Sequence, residues 1–212
     1  AGGRMVPQTF GAEPQFGTNP IAFAAPARNE PPVLFDVATS AIAGNKVRLA
    51  TRVGAPMEPG WISGLDGVPI MEETPARERG EYYHLPMGGT REQGSHKGYG
   101  FALMAEILST SLAGTIPSML DKDTGSSHHS FTAYNIESFT DVDTFKDHMD
   151  QMLQALRNTK PTPGHDRVLY PGLSEYEEEE ERRANGIPLH KEVVQWFDDI
   201  TSELSIPRLK TI

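Results

Sequence analysis

The chain has 212 residues, 37% of them hydrophobic, enough to bury a core as one domain or one and a fraction. A formal net charge of −10, with no run of more than two Lys or Arg, argues against nucleic acid and anionic membranes as partners, since both need a basic surface to displace counterions. The lack of cysteine excludes disulfides, cysteine nucleophiles and thiolate metal sites, and fits a reducing, cytoplasmic setting.

Residues 21–25 and 33–37 are short apolar runs bounded by Pro and Asn, the pattern of buried strands, with a turn between them. Residues 46–51 fit a strand or a helix end equally well. The stretch 55–94, rich in Gly, Pro and charge, reads as loop. A helix is predicted over 97–112, ended by Gly114 and Pro117, and its apolar residues go most of the way round, so burial is expected. The nearly unbroken apolar part, Phe101 to Leu108, is too short to span a bilayer. Residues 129–136 read as a strand. Val142, Phe145, Met149, Met152, Leu153 and Leu156 recur at helical spacing. A short strand is expected at 167–170. Ser174 with Glu177 then reads as a capping box opening an acidic helix that stops at Gly186, and Val193, Phe197, Ile200 and Leu204 form the stripe of a last helix.

Three turns carry the chemistry: Gly17-Thr18-Asn19-Pro20, Asp36-Val37-Ala38-Thr39-Ser40 and Ser95-His96-Lys97-Gly98-Tyr99-Gly100. Each is polar or glycine-rich and borders an apolar run, where N–H groups and short hydroxyls can meet a phosphate or a ribose. Asp36, at a strand end, can accept from ribose hydroxyls. Thr39 and Ser40 offer hydroxyls and, if a helix starts there, unsatisfied N–H groups. Lys97 adds a cation at a helix start, and Gly98 and Gly100 permit close backbone approach. The same patterns also serve as a simple N-cap, as helix packing, or, for His96, as an exposed loop histidine.

In this order the three turns resemble the malate/L-lactate dehydrogenase family of oxidoreductases that lacks a Rossmann fold and includes ureidoglycolate, diketogulonate and sulfolactate dehydrogenases. The resemblance covers residues 6 to 207. It implies an α/β fold with a mixed central sheet flanked by helices, a sulfolactate-dehydrogenase-like arrangement, as a homodimer using NAD or NADP. It implies a cofactor-binding domain over 1–165 and a C-terminal helical segment over 166–212. It places cofactor contacts at Asp36, Val37, Ala38, Thr39 and Ser40 and at Lys97, and substrate contacts at His96 and Lys97. A late Pro-Gly-Glu turn of the family corresponds to Pro171, Gly172 and Leu173. Here Leu173 replaces the acidic residue, so a backbone contact is expected to survive without the acidic side chain.

The resemblance also implies a missing part. Family members carry a further N-terminal segment supplying the catalytic histidine and a supporting arginine, and this chain begins Ala1-Gly2-Gly3-Arg4, without Met. Hydride transfer from a secondary alcohol needs a group that takes the hydroxyl proton, and no residue here is assigned that role. The expected activity is hydride transfer between NAD(P) and a small 2-hydroxy or 2-oxo acid such as malate or lactate. The alternatives are a truncated, non-catalytic remnant that binds or scaffolds, and a cyclic-imine reductase of the same family.

Other constellations fail on geometry. Gly89 to Gly94 has phosphate-loop glycine spacing, but Ser95-His96 stands where Lys-Ser/Thr is required. Asp121, Asp123 and Gly125 suggest a calcium loop, with its glycine one position early and Thr132 where the bidentate Glu belongs. No Gly-x-Gly-x-x-Gly is present for a Rossmann dehydrogenase. Glu177 to Glu181 reads as a solvated helix face.

Overall fold

The apolar residues of the N-terminal half come in twos and threes between Gly and Pro, and they make correspondingly short strands. In the computed structural model, which describes residues 1–122 and 126–209, β1 (Val6–Pro7) pairs antiparallel with β2 (Pro14–Phe16). The second pair joins β3 (Ile21–Ala25) to β4 (Val33–Val37). The third is antiparallel, between β5 (Ile62–Ser63) and β6 (Tyr83–His84). The β structure among the described residues is thus three two-stranded sheets. Further backbone bonds run across the first and third pairs: Met5 N–H to Phe16 O at 2.7 Å, His84 N–H to Met5 O at 3.0 Å and Ile70 N–H to Ile62 O at 3.0 Å.

Five α-helices lie among the described residues: α1 (Gly44–Val53), α2 (Ser95–Ser109), α3 (Val142–Arg157), α4 (Leu173–Asn185) and α5 (Lys191–Glu203). Contacts divide the chain into two units, Ala1–Phe23 with Phe35–Asn135, and Ala24–Leu34 with Ile136–Ile212.

The first unit has two small cores, one of Ile42, Val47, Met57 and Ile62, the other of Val6, Phe16 and Ala102. Helix α2 takes part with an unexpected face. Ser95, Gly98, Ala102, Glu106 and Ser109 are its buried residues, while Phe101, Leu103, Met104, Ile107 and Leu108 are all exposed. The expectation of a helix buried all round is corrected: small and polar residues let it approach its neighbours closely, and the bulky apolar side chains turn outward. Strands β3 and β4 are likewise mostly exposed rather than buried, with Phe23, Leu34 and Phe35 open to solvent.

In the second unit, Leu153 of α3 packs with Tyr170 and Leu173, and Val33 and Met149 close around them. Asp150 of α3 accepts hydrogen bonds from the N–H groups of Arg28, Asn29 and Glu30 at 3.0–3.1 Å. Burial alone would push the Asp150 carboxyl up, but these N–H donors and the Asn29 amide outweigh it and hold the group below the usual carboxylate range. Arg28 in turn pairs with Asp147 and Asp143.

Three local expectations fail. Residues 129–135 form no strand and are exposed but for His128 and Ile136 at its flanks, which are half-buried; a short 3-10 turn, Ile136–Ser138, follows. Residues 167–170 form no strand. No capping box opens α4, because Gly172, in the left-handed region at φ 96°, is the N-cap, and the Glu177 carboxylate goes to Arg167 instead. The predicted stop at Gly186 is found, its N–H reaching Arg182 O at 2.9 Å. Asp123 and Gly125, considered above as calcium ligands, lie outside the described residues.

Candidate functional site

The turn 17–20 is organised by Asn19, fully buried with φ 31°, a left-handed conformation that asparagine tolerates better than most residues. Its Nδ2 donates to Ala102 O at 3.1 Å and to Glu106 Oε2 at 3.3 Å. The buried Glu106 carboxylate also accepts from Ser118 N–H at 2.6 Å and Thr110 Oγ1 at 3.3 Å. An acid inside the apolar run 101–108 thus meets donors on both side-chain oxygens, as a buried carboxyl group requires, with the Thr110 hydroxyl also reaching Glu106 O at 2.7 Å. Sequence reasoning gave neither Asn19 nor Glu106 a role, although a lone acid inside an apolar stretch was a usable signal.

The stretch 36–40 begins with the last two residues of β4 and leaves the strand at Ala38. Asp36 is exposed, Val37 and Ala38 are half-buried, and Thr39 and Ser40 are buried. The Thr39 N–H and Oγ1 both donate to Thr18 O at 2.9 Å, and Ser40 Oγ donates to Ile42 O at 2.7 Å. The two hydroxyls expected to face a ribose therefore hold this turn to the first one and to itself. The following helix begins at Gly44, so the free N–H groups of a helix start are not at Thr39 and Ser40.

The third turn meets the second through Met87. Met87 N–H donates to Thr39 O at 2.9 Å. On the other side, a Cβ added to Gly98 would stand 2.5 Å from both the N and the O of Met87. One stretch of backbone, at Met87, is therefore held between Thr39 of the second turn and Gly98 near the start of α2. His96 and Lys97 are exposed there. Arg91 Nη1 lies 2.9 Å from His96 Nδ1. A guanidinium only donates, so Nδ1 is the acceptor and the proton of the neutral ring sits on Nε2.

Pro171, Gly172 and Leu173 belong to the second unit. Pro171 O accepts from Leu34 N–H at 3.1 Å, and a Cβ on Gly172 would stand 2.7 Å from Leu34 N. The Leu173 side chain is buried in that unit's core, a packing residue at the position where the resemblance led us to expect an acid. Among the described residues no group of three or more His, Cys, Asp or Glu could hold a metal ion, and no helix is long and apolar enough to cross a membrane.

The fold is shared with solved dehydrogenases. Malate dehydrogenase from Entamoeba histolytica superposes with a TM-score of 0.82 at 31% identity, over 96% of this chain and 59% of that one. Sulfolactate dehydrogenase from Methanocaldococcus jannaschii superposes with a TM-score of 0.69 at 28% identity, over 96% and 58%. The family model described as malate/L-lactate dehydrogenase matches residues 2–198, and the chain belongs to that family. The malate dehydrogenase of Pyrococcus abyssi is 34% identical over 97% of this chain, which spans 58% of that relative's length.

Proposed function

We propose that the protein takes part in hydride transfer between a nicotinamide cofactor, NAD or NADP, and a small 2-hydroxy or 2-oxo acid, acting as a homodimer in the cytoplasm. The observation that supports this reading most is the Met87 backbone held between Thr39 and Gly98, because it joins two turns through residues that are 59 positions apart in the chain. The residues gathered there fit such a cofactor: an exposed carboxylate at Asp36 for hydroxyl groups, and a lysine at a helix start for an anion. When bound, the nicotinamide accepts or supplies the hydride at the substrate's carbinol or carbonyl carbon.

The chain's own residues bind and orient. Lys97 provides a cation for a carboxylate or a phosphate. His96, with Nδ1 accepting from Arg91, presents Nε2–H as a donor to a substrate oxygen and has no free lone pair with which to remove a proton. We therefore assign His96 an orienting role, and no residue of this chain the role of base.

Thermal melting with and without NADH or NADPH tests the reading. Ligand should raise the melting temperature of the wild-type chain by mass action. Lys97→Ala should lose a charge-assisted contact worth about 1.5–3 kcal/mol, so that its ligand-induced shift shrinks while its unliganded melting temperature stays equal or rises slightly. An equal shift in both proteins would make Lys97 an ordinary surface lysine. The 212-residue chain alone is expected to show no steady-state oxidation of malate or lactate; turnover would return the role of base to a residue present here.

A further inference from the structure

A cleft of about 770 Å³ opens at the N-terminal end of α1, inside the range of roughly 300–1,000 Å³ usual for small-molecule sites. Arg4, Arg48, Arg52, Arg77 and Arg79 line it, against a single carboxylate, Glu78. In a chain of net charge −10, this gathering of guanidinium groups around one opening is a local inversion of sign, although Arg4 already donates to Met119 O and Asp121 O. Among the described residues, Arg48, Arg77 and Arg79 form no ion pair. Arg48 donates to the neutral Asn45 amide instead. Lys46 is directed away, its Nζ 4.5 Å above the Trp61 ring.

Two further features of the same opening point to an anion. Ala43, Gly44 and Asn45 line it, and α1 starts there with no side-chain cap and no acidic residue in its first turn, so the first N–H groups and the positive end of the helix are left for a ligand. His84 is on the cleft wall, only 4% exposed, and its Nδ1 is buried without a hydrogen-bond partner. The ring lies against the helix start: a Cβ on Gly44 would lie 3.5 Å from His84 Cε1 and 3.8 Å from Nε2. The uncapped helix start beside Arg48, Arg77 and Arg79 is a donor set without its acceptor, and the His84 Nδ1 beside it is a buried polar atom still without a partner.

We propose that this cleft binds the phosphomonoester group of an organic ligand. Several guanidinium forks and the helix N–H groups offer more donors than the two oxygens of one carboxylate can accept, whereas a phosphomonoester presents three terminal oxygens and a second negative charge. The volume leaves room for the organic body beside Tyr82 and Tyr83. The inference does not rest on the hydride-transfer reading, since the 2′-phosphate of a dinucleotide and the phosphate of a separate metabolite present the same chemistry.

Isothermal titration of the 212-residue chain with inorganic phosphate, at constant ionic strength, tests it. The wild type should bind saturably, and the double variant Arg48→Gln/Arg79→Gln should bind at least tenfold more weakly with an unchanged melting temperature in phosphate-free buffer. Arg48→Lys/Arg79→Lys, which keeps charge but loses the forks, should fall between them and guards against a folding defect in the glutamine pair. Displacement of phosphate by NADP⁺ but not by NAD⁺ would place the 2′-phosphate there; displacement by neither would make the site one for a separate phosphorylated ligand. Absence of saturable binding, or equal affinity in wild type and the glutamine pair, overturns the proposal. Failure of nicotinamide binding would leave it standing.

Discussion

Gly98 and Gly100 lie two residues apart in α2, and the same substitution to alanine should have opposite effects at the two sites. Nothing lies within 4 Å of a Cβ built on Gly100, so Gly100→Ala meets open space and gains helix propensity, about 0.5–1 kcal/mol of stability. At Gly98 the new Cβ would stand 2.5 Å from Met87 N and O and 2.9 Å from its Cα. Bringing the closest pair to the 3.4 Å of ordinary contact requires a displacement of 0.9 Å between two backbones. Backbone cannot swing aside as a long side chain can, so the overlap should cost about 1–3 kcal/mol, which offsets or exceeds the propensity gain. At about 2–4 °C per kcal/mol for a chain of this size, Gly100→Ala should melt a few degrees above wild type and Gly98→Ala at or below it. Thermal unfolding followed by far-UV circular dichroism on the three proteins decides the matter. A Gly98→Ala protein as stable as Gly100→Ala would mean that α2 does not rest on Met87, and the convergence of the two turns would fall with it.

Glu106→Ala removes the acceptor for Ser118 N–H and for Asn19 Nδ2 and strands both donors, so urea denaturation should show a loss of about 3 kcal/mol; a change under 1 kcal/mol would refute the network. His84 is held by burial below its ordinary value of 6.5, so the unfolded chain takes up a proton that the folded one refuses; stability should decline as pH falls below about 6.5 and be unaffected by His84 above it. His84→Gln should flatten the melting temperature between pH 7 and 5 relative to wild type, a window above that in which Asp150 and Glu177, both held low by hydrogen bonds, lose their contribution. Parallel pH profiles for the two proteins would remove His84 as the cause.

The parts of the fold that were legible in the sequence are those set by local pattern. The spacing of Val142, Met149 and Leu153 gave α3 within a residue or two at either end, and the runs at 21–25 and 33–37 gave β3 and β4 with their observed bounds. Burial was not legible in the same way, because it depends on what approaches. Helix α2 is nearly apolar all round, so periodicity cannot choose its inner face; the choice falls to the small residues at Gly98 and Ala102, which permit contact with Met87 and Phe16. The capping box at Ser174 failed for a similar reason. A glycine two residues earlier, Gly172, takes the left-handed cap position, where its neighbour Leu34 leaves no room for a Cβ.

The candidate site was legible as motifs but not as a mechanism of assembly. The hydroxyls of Thr39 and Ser40 looked like ligand groups and are instead fasteners, one binding Thr18 and the other Ile42. Asn19 looked like a turn residue and is the link from the first turn to Glu106 on α2. The order of the three turns in the chain therefore has a physical reason. Thr39 ties the second turn to the first, Met87 ties the second to the third, and Asn19 with Glu106 ties the third back to the first. This closes a ring of contacts in which each turn holds the other two. A substitution at Glu106 or Gly98, neither of which has to touch a ligand, should on this account move Lys97 relative to Asp36, and weakened ligand binding in such variants would report the ring itself.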